Sequence, residues 1–214
     1  MKKFSMFAFG ALTFTGLACA SIIPTLSSGP VAVTGGFAFN YTANLSGDER
    51  LDPNATNGVT CPAPGNTKTQ CNPAGTFFTI YDINGFVSAN TTAANWAQPT
   101  IQMTGITPSS INGSTFDGAA LNVTFMYTGP VVHGNGVTVP FSGFQIISNL
   151  NGINANGNFT SQSTKDIGDS MGNTDQLAGP VTVPAGSNVP EPASMLLIGG
   201  GLVGLALARR KLVR

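Results

Sequence analysis

The chain has 214 residues, a formal net charge of zero and only 8% charged residues. Most of its cations stand at the two ends, so the region 21–188 holds three cations against eight acidic residues, a net charge of −5. A mildly acidic region with so few cations has no electrostatic footprint for DNA or RNA, which excludes nucleic acid as a partner.

The chain begins with the pattern of a secretory signal. Two lysines are followed by an uncharged apolar stretch, and Ala18 and Ala20 then supply the small residues that a signal peptidase requires. This pattern predicts a signal peptide over residues 1–20 and a cut before Ser21. The alternative is a lipoprotein cut that leaves an acylated Cys19, but the residues before Cys19 lack the large aliphatic side chain that such a site carries first.

Asn, Thr, Ser and Gly supply the polarity of the region 21–188, and these residues favour turns and β-surfaces over helices. We therefore predict an all-β domain, an antiparallel β-sandwich or jelly roll of about seven to nine strands. The predicted strands are short segments rich in β-branched and aromatic residues: 31–45 (one bent strand, or two separated at Gly35-Gly36), 76–82, 99–106, 120–129, 136–148 and 179–184.

One predicted strand shows clear alternation. Leu121, Val123 and Phe125 alternate with Asn122 and Thr124, which predicts a strand that is buried on one face only. Segments rich in Asn, Gly and Pro predict the turns between strands, at 84–85, 129–130, 134–136 and 149–157.

Cys61 and Cys71 are the two cysteines that remain after removal of the signal peptide. They flank a short, polar, proline-containing loop, and export to an oxidising compartment favours a disulfide between them. The alternative is a metal pair, but the spacing is not that of a zinc site and no histidine is near.

Residues 168–172 match the G-x-S-x-G pattern of a hydrolase nucleophile, with Ser170 at its centre. The flanking segments are polar and loop-like, and the single histidine of the chain, His133, comes before the serine in a predicted turn. We expect Ser170 to lie in an exposed turn and His133 to be a solvated loop residue. Asp82 and Asp117 are isolated in sequence, and an acid–base pair formed from them on a glycan is the remaining route to catalysis. We predict that the protein is not an enzyme.

Calcium is the ion that the sequence favours, and no other cofactor is indicated. Four oxygen-bearing side chains lie within ten residues, and hard cations bind such loops: Asp166, Asp169, Asn173 and Asp175. A second acidic group consists of Asp48, Glu49 and Asp52. Neither group matches an EF-hand, and the alternative is that both are solvated acidic loops.

Aromatic residues offer a further binding hypothesis. Trp96, with Tyr81 and Tyr127, would form a platform for sugar rings if it were exposed, whereas a lone Trp in a small β-domain more commonly fills the core. We favour the core position. The abundant Asn and Thr side chains suit contact with a hydrated polysaccharide in either case.

The chain ends with an apolar segment and a basic tail. Residues 193–208 carry no charge and would span roughly 24 Å as a helix, slightly less than a hydrocarbon core of about 30 Å. Cations follow at once and predict a cytoplasmic end: Arg209, Arg210, Lys211 and Arg214. We predict a transmembrane helix with the β-domain outside the cytoplasm; the alternative is a buried core helix.

The residues before this segment are Val189, Pro190, Glu191 and Pro192. Both prolines disfavour helix, so this stretch should be extended and accessible to a protease. With the glycine-rich apolar segment and the basic tail, residues 189–214 resemble the PEP-CTERM sorting signal of Gram-negative bacteria that make exopolysaccharide. The resemblance implies processing by an exosortase-like membrane protease and an exported protein of the cell surface or extracellular matrix. Our leading hypothesis is a structural or adhesive role linked to exopolysaccharide; the alternatives are a carbohydrate-binding module, with or without calcium, and a secreted hydrolase.

Overall fold

The computed structural model describes residues 21–54, 75–103, 105–108, 111, 120–168 and 171–186. These residues form β-strands, turns and irregular segments, and helix is absent from the described ranges. The eleven strands are β1 (Ile22–Val33), β2 (Gly36–Leu45), β3 (Glu49–Leu51), β4 (Phe77–Ile83), β5 (Phe86–Thr91), β6 (Thr100–Gln102), β7 (Leu121–Met126), β8 (Val132–His133), β9 (Val139–Ser148), β10 (Gly152–Lys165) and β11 (Thr174–Ala185).

The strands form two antiparallel sheets. Sheet 1 has the order β1-β2-β9-β5, and sheet 2 has the order β6-β7-β4-β10-β3-β8, with β11 paired to β10. One hydrophobic core joins them, because Phe39 and Phe144 of sheet 1 pack in the same cluster as Phe78 and Phe125 of sheet 2. The prediction of an all-β protein with antiparallel sheets is confirmed, but eleven described strands exceed the predicted seven to nine.

Two predicted turns are confirmed. The glycines at 35–36 separate two strands, because β1 ends at Val33 and β2 begins at Gly36. The Asn84-Gly85 turn connects β4 to β5, with Gly85 at a φ of 63°. A Cβ at Gly85 would lie 2.0 Å from Asn149 Oδ1, so this hairpin requires glycine both for its backbone conformation and for space.

The largest correction concerns the polar segment before Ser170. Residues 149–157 were expected to be a turn and residues 160–167 to be loop-like, yet β10 runs continuously from Gly152 to Lys165. The residues after the serine belong in part to β11, which begins at Thr174. Composition was misleading here because these polar side chains are buried inside the protein; Thr160, Ser161, Gln162, Ser163 and Thr164 are each at most 1% exposed.

The centre of sheet 2 is buried on both faces. Val123 and Phe125 face the core, as predicted, but Asn122 and Thr124 on the opposite face are also buried. A segment at residues 105–108 covers that face, where the Ile106 carbonyl accepts a hydrogen bond of 2.6 Å from Thr79 Oγ1. The prediction that β7 is half-buried was therefore wrong, because residues 105–108, which precede β7 in the chain, cover its polar side.

Several predictions concern parts of the chain outside the described residues: the signal peptide, Cys61 and Cys71, Asp117, Asp169, Ser170 and the whole C-terminal segment from residue 187. Within the described ranges, no helix is long and apolar enough to cross a membrane.

Candidate functional site

Charged residues gather where β3 joins β10 and β8. We define the charged cluster as Asp48, Glu49, Arg50, Asp52, His133, Lys165, Asp166 and Asp175. Among the described residues, Asp82 is the one charged side chain outside it. Strand register brings the cluster together, since Glu49 pairs with Lys165 across β3 and β10, and Arg50 pairs with His133 across β3 and β8. Residues that are more than 100 positions apart in sequence therefore become neighbours.

Lys165 is the centre of one half of the cluster. Its Nζ lies 2.9 Å from Asp48 Oδ2, 3.0 Å from Glu49 Oε1 and 3.3 Å from Asp175 Oδ2. Burial by itself lowers the pKa of Lys165, but hydrogen bonds to Asp48 and Glu49 outweigh it and hold that pKa above its ordinary value. The ammonium group is thus fixed in its charged form among three carboxyl groups.

Glu49 is fully buried, which is rare for a carboxyl group. Its Oε2 accepts a hydrogen bond of 2.8 Å from Ser163 Oγ. Burial raises the pKa of Glu49 to about 7, although the hydrogen bonds from Ser163 and Lys165 oppose that rise. In a chain that keeps residues in front of Ser21, the folded protein therefore holds this proton between about pH 4.5 and 7, where an unfolded chain has released it. Glu49 thus favours folding at low pH, and its contribution is lost as the pH rises through 7.

Lys165→Met is expected to lower the free energy of unfolding by about 2–3 kcal/mol at pH 8, because it leaves carboxylates without their shared cation. In a form that keeps residues in front of Ser21, the cost should shrink at pH 5, where Glu49 is protonated. Urea unfolding at both pH values measures the difference. Lys165→Arg is the matched control and should lose less than half as much; equal losses for the two variants would show that packing, not charge, is responsible.

His133 and Asp166 form the other half of the cluster. Contrary to the expected loop position, His133 lies in β8, and its Nδ1 is 2.8 Å from both carboxylate oxygens of Asp166. Arg50 NH1 lies 3.8 Å from Asp166, and Arg50 NH2 lies 3.2 Å from Asp52. Asp166 is almost completely buried, while the His133 side chain is 48% exposed. The carboxylate therefore orients one ring nitrogen and leaves the rest of the ring facing solvent.

The hydrolase hypotheses rest on residues that the structure describes only in part. The hydrogen bond of His133 goes to Asp166, and Ser170 lies outside the described residues. Asp82 lies at a register shift between β4 and β7, where its N–H donates a hydrogen bond of 2.8 Å to Asn122 Oδ1. Its predicted partner Asp117 is also outside the described ranges.

Three of the four predicted calcium ligands are described, and Asp166, Asn173 and Asp175 lie around the hairpin between β10 and β11. Asp166 binds His133 and Asp175 binds Lys165, so the two described carboxylates face different partners. Asn173 contributes its carbonyl to the Lys165 N–H at 2.8 Å, and Asp169 lies outside the described residues. In the described part of the chain, no group of three or more His, Cys, Asp or Glu is arranged to hold a metal ion. Calcium at this hairpin stays a prediction.

The aromatic residues belong to the core. Trp96 is 6% exposed, and its ring packs edge-on against Phe78, Tyr127 and Phe144 with centroid distances of 5.6, 5.4 and 4.9 Å. Tyr81 is buried on the other face of sheet 2. The favoured core position of Trp96 is confirmed, and the aromatic platform was wrong because no ring face of Trp96 is available to a ligand.

The outer face of sheet 1 carries a row of neutral polar side chains across all four strands. In β2, Asn40, Thr42 and Asn44 alternate with buried residues of the core. Asn40 Nδ2 donates to Ser28 Oγ on β1 at 3.1 Å, and Gln145 Nε2 on β9 donates to Asn40 Oδ1 at 2.9 Å. Asn90 Nδ2 on β5 continues the row to Gln145 Oε1 at 3.3 Å. We call Ser28, Asn40, Gln145 and Asn90 the amide row.

Hydroxyl groups form a second row beside the amide row. Thr25, Thr42 and Ser142 are cross-strand partners on β1, β2 and β9. Neighbouring rows on one face are about 7 Å apart, and the amide row spans about 15 Å across four strands. The four strands of sheet 1, every residue of which the structure describes, contain no Asp, Glu, Lys, Arg or His. Sheet 1 therefore presents a neutral hydrogen-bonding surface, whereas the charges lie on sheet 2.

The sequence contained part of the signal for this surface. Asn40, Thr42 and Asn44 recur at every second position, which is the period of one strand face. The alignment of Asn40 with Gln145 and Asn90 depends on the pairing of strands that are distant in sequence, and it could not be deduced from composition.

The comparisons with known proteins concern the C-terminal end. Residues 188–211 match a family model described as the PEP-CTERM protein-sorting motif. No curated protein matches the chain. The motif supports an exported protein whose membrane-anchored precursor is processed by exosortase, a membrane enzyme. The predicted resemblance is thereby confirmed, and the chain carries a PEP-CTERM sorting signal behind its β-domain.

Proposed function

We propose that the β-domain is a non-enzymatic structural or adhesive component of the cell surface or extracellular matrix that binds neutral exopolysaccharide. The observation that carries this proposal is the charge-free outer face of sheet 1 with its continuous amide row. The sorting motif supports the same function, because it delivers the domain outside the cytoplasm.

The chemistry of the amide row suits sugar hydroxyl groups. Each side-chain amide has two N–H donors and one carbonyl acceptor, and each amide nitrogen in the row donates one bond to its neighbour. The second N–H and the remaining lone pairs are available to a ligand. The mutual bonds also hold the side chains in fixed rotamers, so binding costs less side-chain entropy.

Because sheet 1 carries no charged side chains, an acidic polymer is not its preferred ligand. A surface without cations offers no ion pair to a uronate or a sulfate, whereas it pays little desolvation cost for a neutral chain. A flat sheet face with two polar rows also fits an extended polymer better than a small molecule, which requires a concave site.

The test is binding of the exported protein to neutral and acidic polysaccharides, immobilised in parallel. A double variant, Asn40→Ala with Gln145→Ala, should weaken binding to the neutral polymer by about tenfold or more, because each lost hydrogen bond contributes about 1 kcal/mol. Asn156→Ala is the matched control, since Asn156 is an exposed amide on β10 of sheet 2. Equal binding by the double variant and the wild type would refute the proposed surface.

Two alternatives have distinct outcomes in the same assay. Binding that is lost with a chelator and unchanged in the double variant would favour a calcium-dependent carbohydrate module at the β10–β11 hairpin. Release of soluble sugar fragments during incubation would favour a hydrolase.

A further inference from the structure

Ser21 is held inside the protein. It precedes β1 directly and is fully buried. Its Oγ lies 2.9 Å from Ser161 Oγ, and its carbonyl accepts a hydrogen bond of 3.2 Å from the Ser46 N–H. A residue next to a cleavage site is ordinarily exposed, whereas both the side chain and the main chain of Ser21 are bonded in the interior.

One hydroxyl group joins Ser21 to Glu49. Ser163 Oγ donates to Glu49 Oε2 at 2.8 Å and lies 3.4 Å from Ser21 Oγ. The Glu49 carboxylate and the Ser21 hydroxyl group are therefore linked through a single side chain, that of Ser163. The main-chain nitrogen of Ser21 is three bonds from that hydroxyl oxygen and therefore belongs to the same residue that the Ser163 hydroxyl group links to Glu49.

The groups around Glu49 are short of positive charge. Lys165 of β10 is shared among Glu49, Asp48 and Asp175, the last of which lies on β11. Glu49 Oε1 is buried, and its cationic neighbour Lys165, 3.0 Å away, also contacts Asp48 and Asp175. Burial raises the pKa of this carboxyl to about 7, which is consistent with the same shortage. A second cation beside Glu49 would balance the negative charge of this carboxylate.

We infer that removal of the signal peptide frees an α-amino group at Ser21 that forms a buried ion pair with Glu49. Hydrolysis by signal peptidase adds one water across the Ala20–Ser21 amide and leaves a carboxylate on Ala20 and an ammonium on Ser21. In the folded protein the new charge lies on a residue whose hydroxyl group contacts Ser161 and Ser163. The inference depends on the predicted cut before Ser21 and is independent of polysaccharide binding.

A buried ion pair of this kind would couple processing to stability. Before cleavage the Ser21 nitrogen is a neutral amide, and Glu49 has only its share of Lys165. After cleavage the ammonium can donate to the carboxylate in a site of low dielectric, where charge-assisted hydrogen bonds are strong. The exported form should then be more stable than any form that keeps residues in front of Ser21.

The first test uses the full chain, exported and processed in a Gram-negative host. Intact mass should place the mature N-terminus at Ser21. An ion pair that raises the pKa of the α-amino group by one unit from about 7.7 lowers the fraction of reactive neutral amine about tenfold. Labelling with an amine-selective reagent near pH 7 should therefore be at least about tenfold slower in the folded protein than in urea. Equal rates, or a mature chain that begins at another residue such as an acylated Cys19, would overturn the inference.

The second test separates the ion pair from a merely structural role of Glu49. A Gly-Thr insertion between Ala20 and Ser21 keeps the cut but moves the α-amino group two residues away. This insertion and Glu49→Gln should each lower the Tm by about 5 °C near pH 8, and their combination should cost little more than either alone. Asp48→Asn is the control, since Asp48 also contacts Lys165 but not Ser163; its effect should add to that of the insertion. Full additivity of the insertion with Glu49→Gln would contradict the pairing.

The insertion should also change the pH dependence of the Tm. In the inserted form, Glu49 faces Ser163, Lys165 and Asp175, with Asp48 beyond Lys165. Its raised pKa should then make the Tm fall between about pH 4.5 and 7, where the unfolded chain releases the proton first. The wild-type mature protein should lack most of that fall, and identical pH profiles of the two forms would count against the ion pair.

Discussion

A chain that ends at Asn188 is expected to be exported but to lose its membrane-anchored precursor. The deleted residues contain the apolar segment and the basic tail, which together predict the stop in the membrane. The described strands end at Ala185, so the deletion leaves every strand of the domain intact. Fractionation of cells that produce exosortase should show the truncated protein free of the membrane and at a single mass, whereas the full chain should give an anchored precursor and a shorter product.

The matched control for this prediction keeps the anchor and changes the proposed cut region. Replacing Pro190 and Pro192 with alanine should allow the predicted transmembrane helix to extend towards the β-domain, so the protease should meet a helix in place of an extended peptide. The anchored precursor should accumulate and the shorter product should diminish. The sorting hypothesis fails if the truncated and full-length proteins have the same location and the same processed mass.

Phe78→Ala is expected to cost about 3–5 kcal/mol of unfolding free energy, a large part of the stability of a typical domain. Phe78 is fully buried, and its ring packs against Phe125 at 5.0 Å, Phe144 at 5.1 Å and Trp96 at 5.6 Å. Because Phe144 belongs to sheet 1 and Phe125 to sheet 2, this ring joins the two sheets. Its removal leaves a cavity that rigid strands on both sides cannot close.

Chemical denaturation of the exported protein measures this effect. Phe78→Leu retains most of the apolar volume and should recover more than half of the loss. Val137→Ala provides a surface control, since Val137 is 67% exposed, and it should change stability by less than about 0.5 kcal/mol. A loss below about 1 kcal/mol for Phe78→Ala would mean that the two sheets do not share the core as described.

Export depends on the C-terminal sorting signal, whereas the proposed polysaccharide binding depends on the outer face of sheet 1. The sorting signal works at the membrane, before the domain reaches its final environment, whereas the amide row acts only afterwards. Variants of Asn40 and Gln145 should therefore be sorted normally while they bind polymer poorly. Variants of Pro190 and Pro192 should be mislocalised while their β-domain retains its binding.

Several predicted strands were correct where apolar residues alternate or cluster, but residues 99–106 contain only the three residues of β6, and β5 and most of β1 were missed. Residues 76–82 and 120–129 correspond closely to β4 and β7, because aromatic and β-branched residues there face the core. By contrast, β10 was missed, since its polar residues resemble a loop in composition. They form a strand because β4 and β11 on either side satisfy its backbone, and because partners such as Glu49 and Gly75 satisfy its side chains.

The predictions for the candidate sites failed for a similar reason, since the fold decides which side chains become partners. Asp166 and Asp175 were grouped by their closeness in sequence, yet the fold gives them different partners, His133 and Lys165. Glu49 was treated as a solvated acid, and the fold buries it completely. Nearness along the chain is a poor guide to side-chain partners in a β-protein, because strand register sets those contacts.

The sequence by itself determined the all-β class and the sorting signal. The sorting signal is a contiguous pattern of proline, apolar residues and charge that a membrane and a protease recognise locally. The all-β class follows from the abundance of residues that favour strands and turns. Only the tertiary structure decided which polar residues are buried and which form a surface. Asn40, Asn90 and Gln145 become one row, and Ser21, Glu49 and Ser163 become one buried group, through pairing between strands far apart in the chain. That pairing depends on the whole set of backbone hydrogen bonds and on the packing of the core, so no single segment contains it.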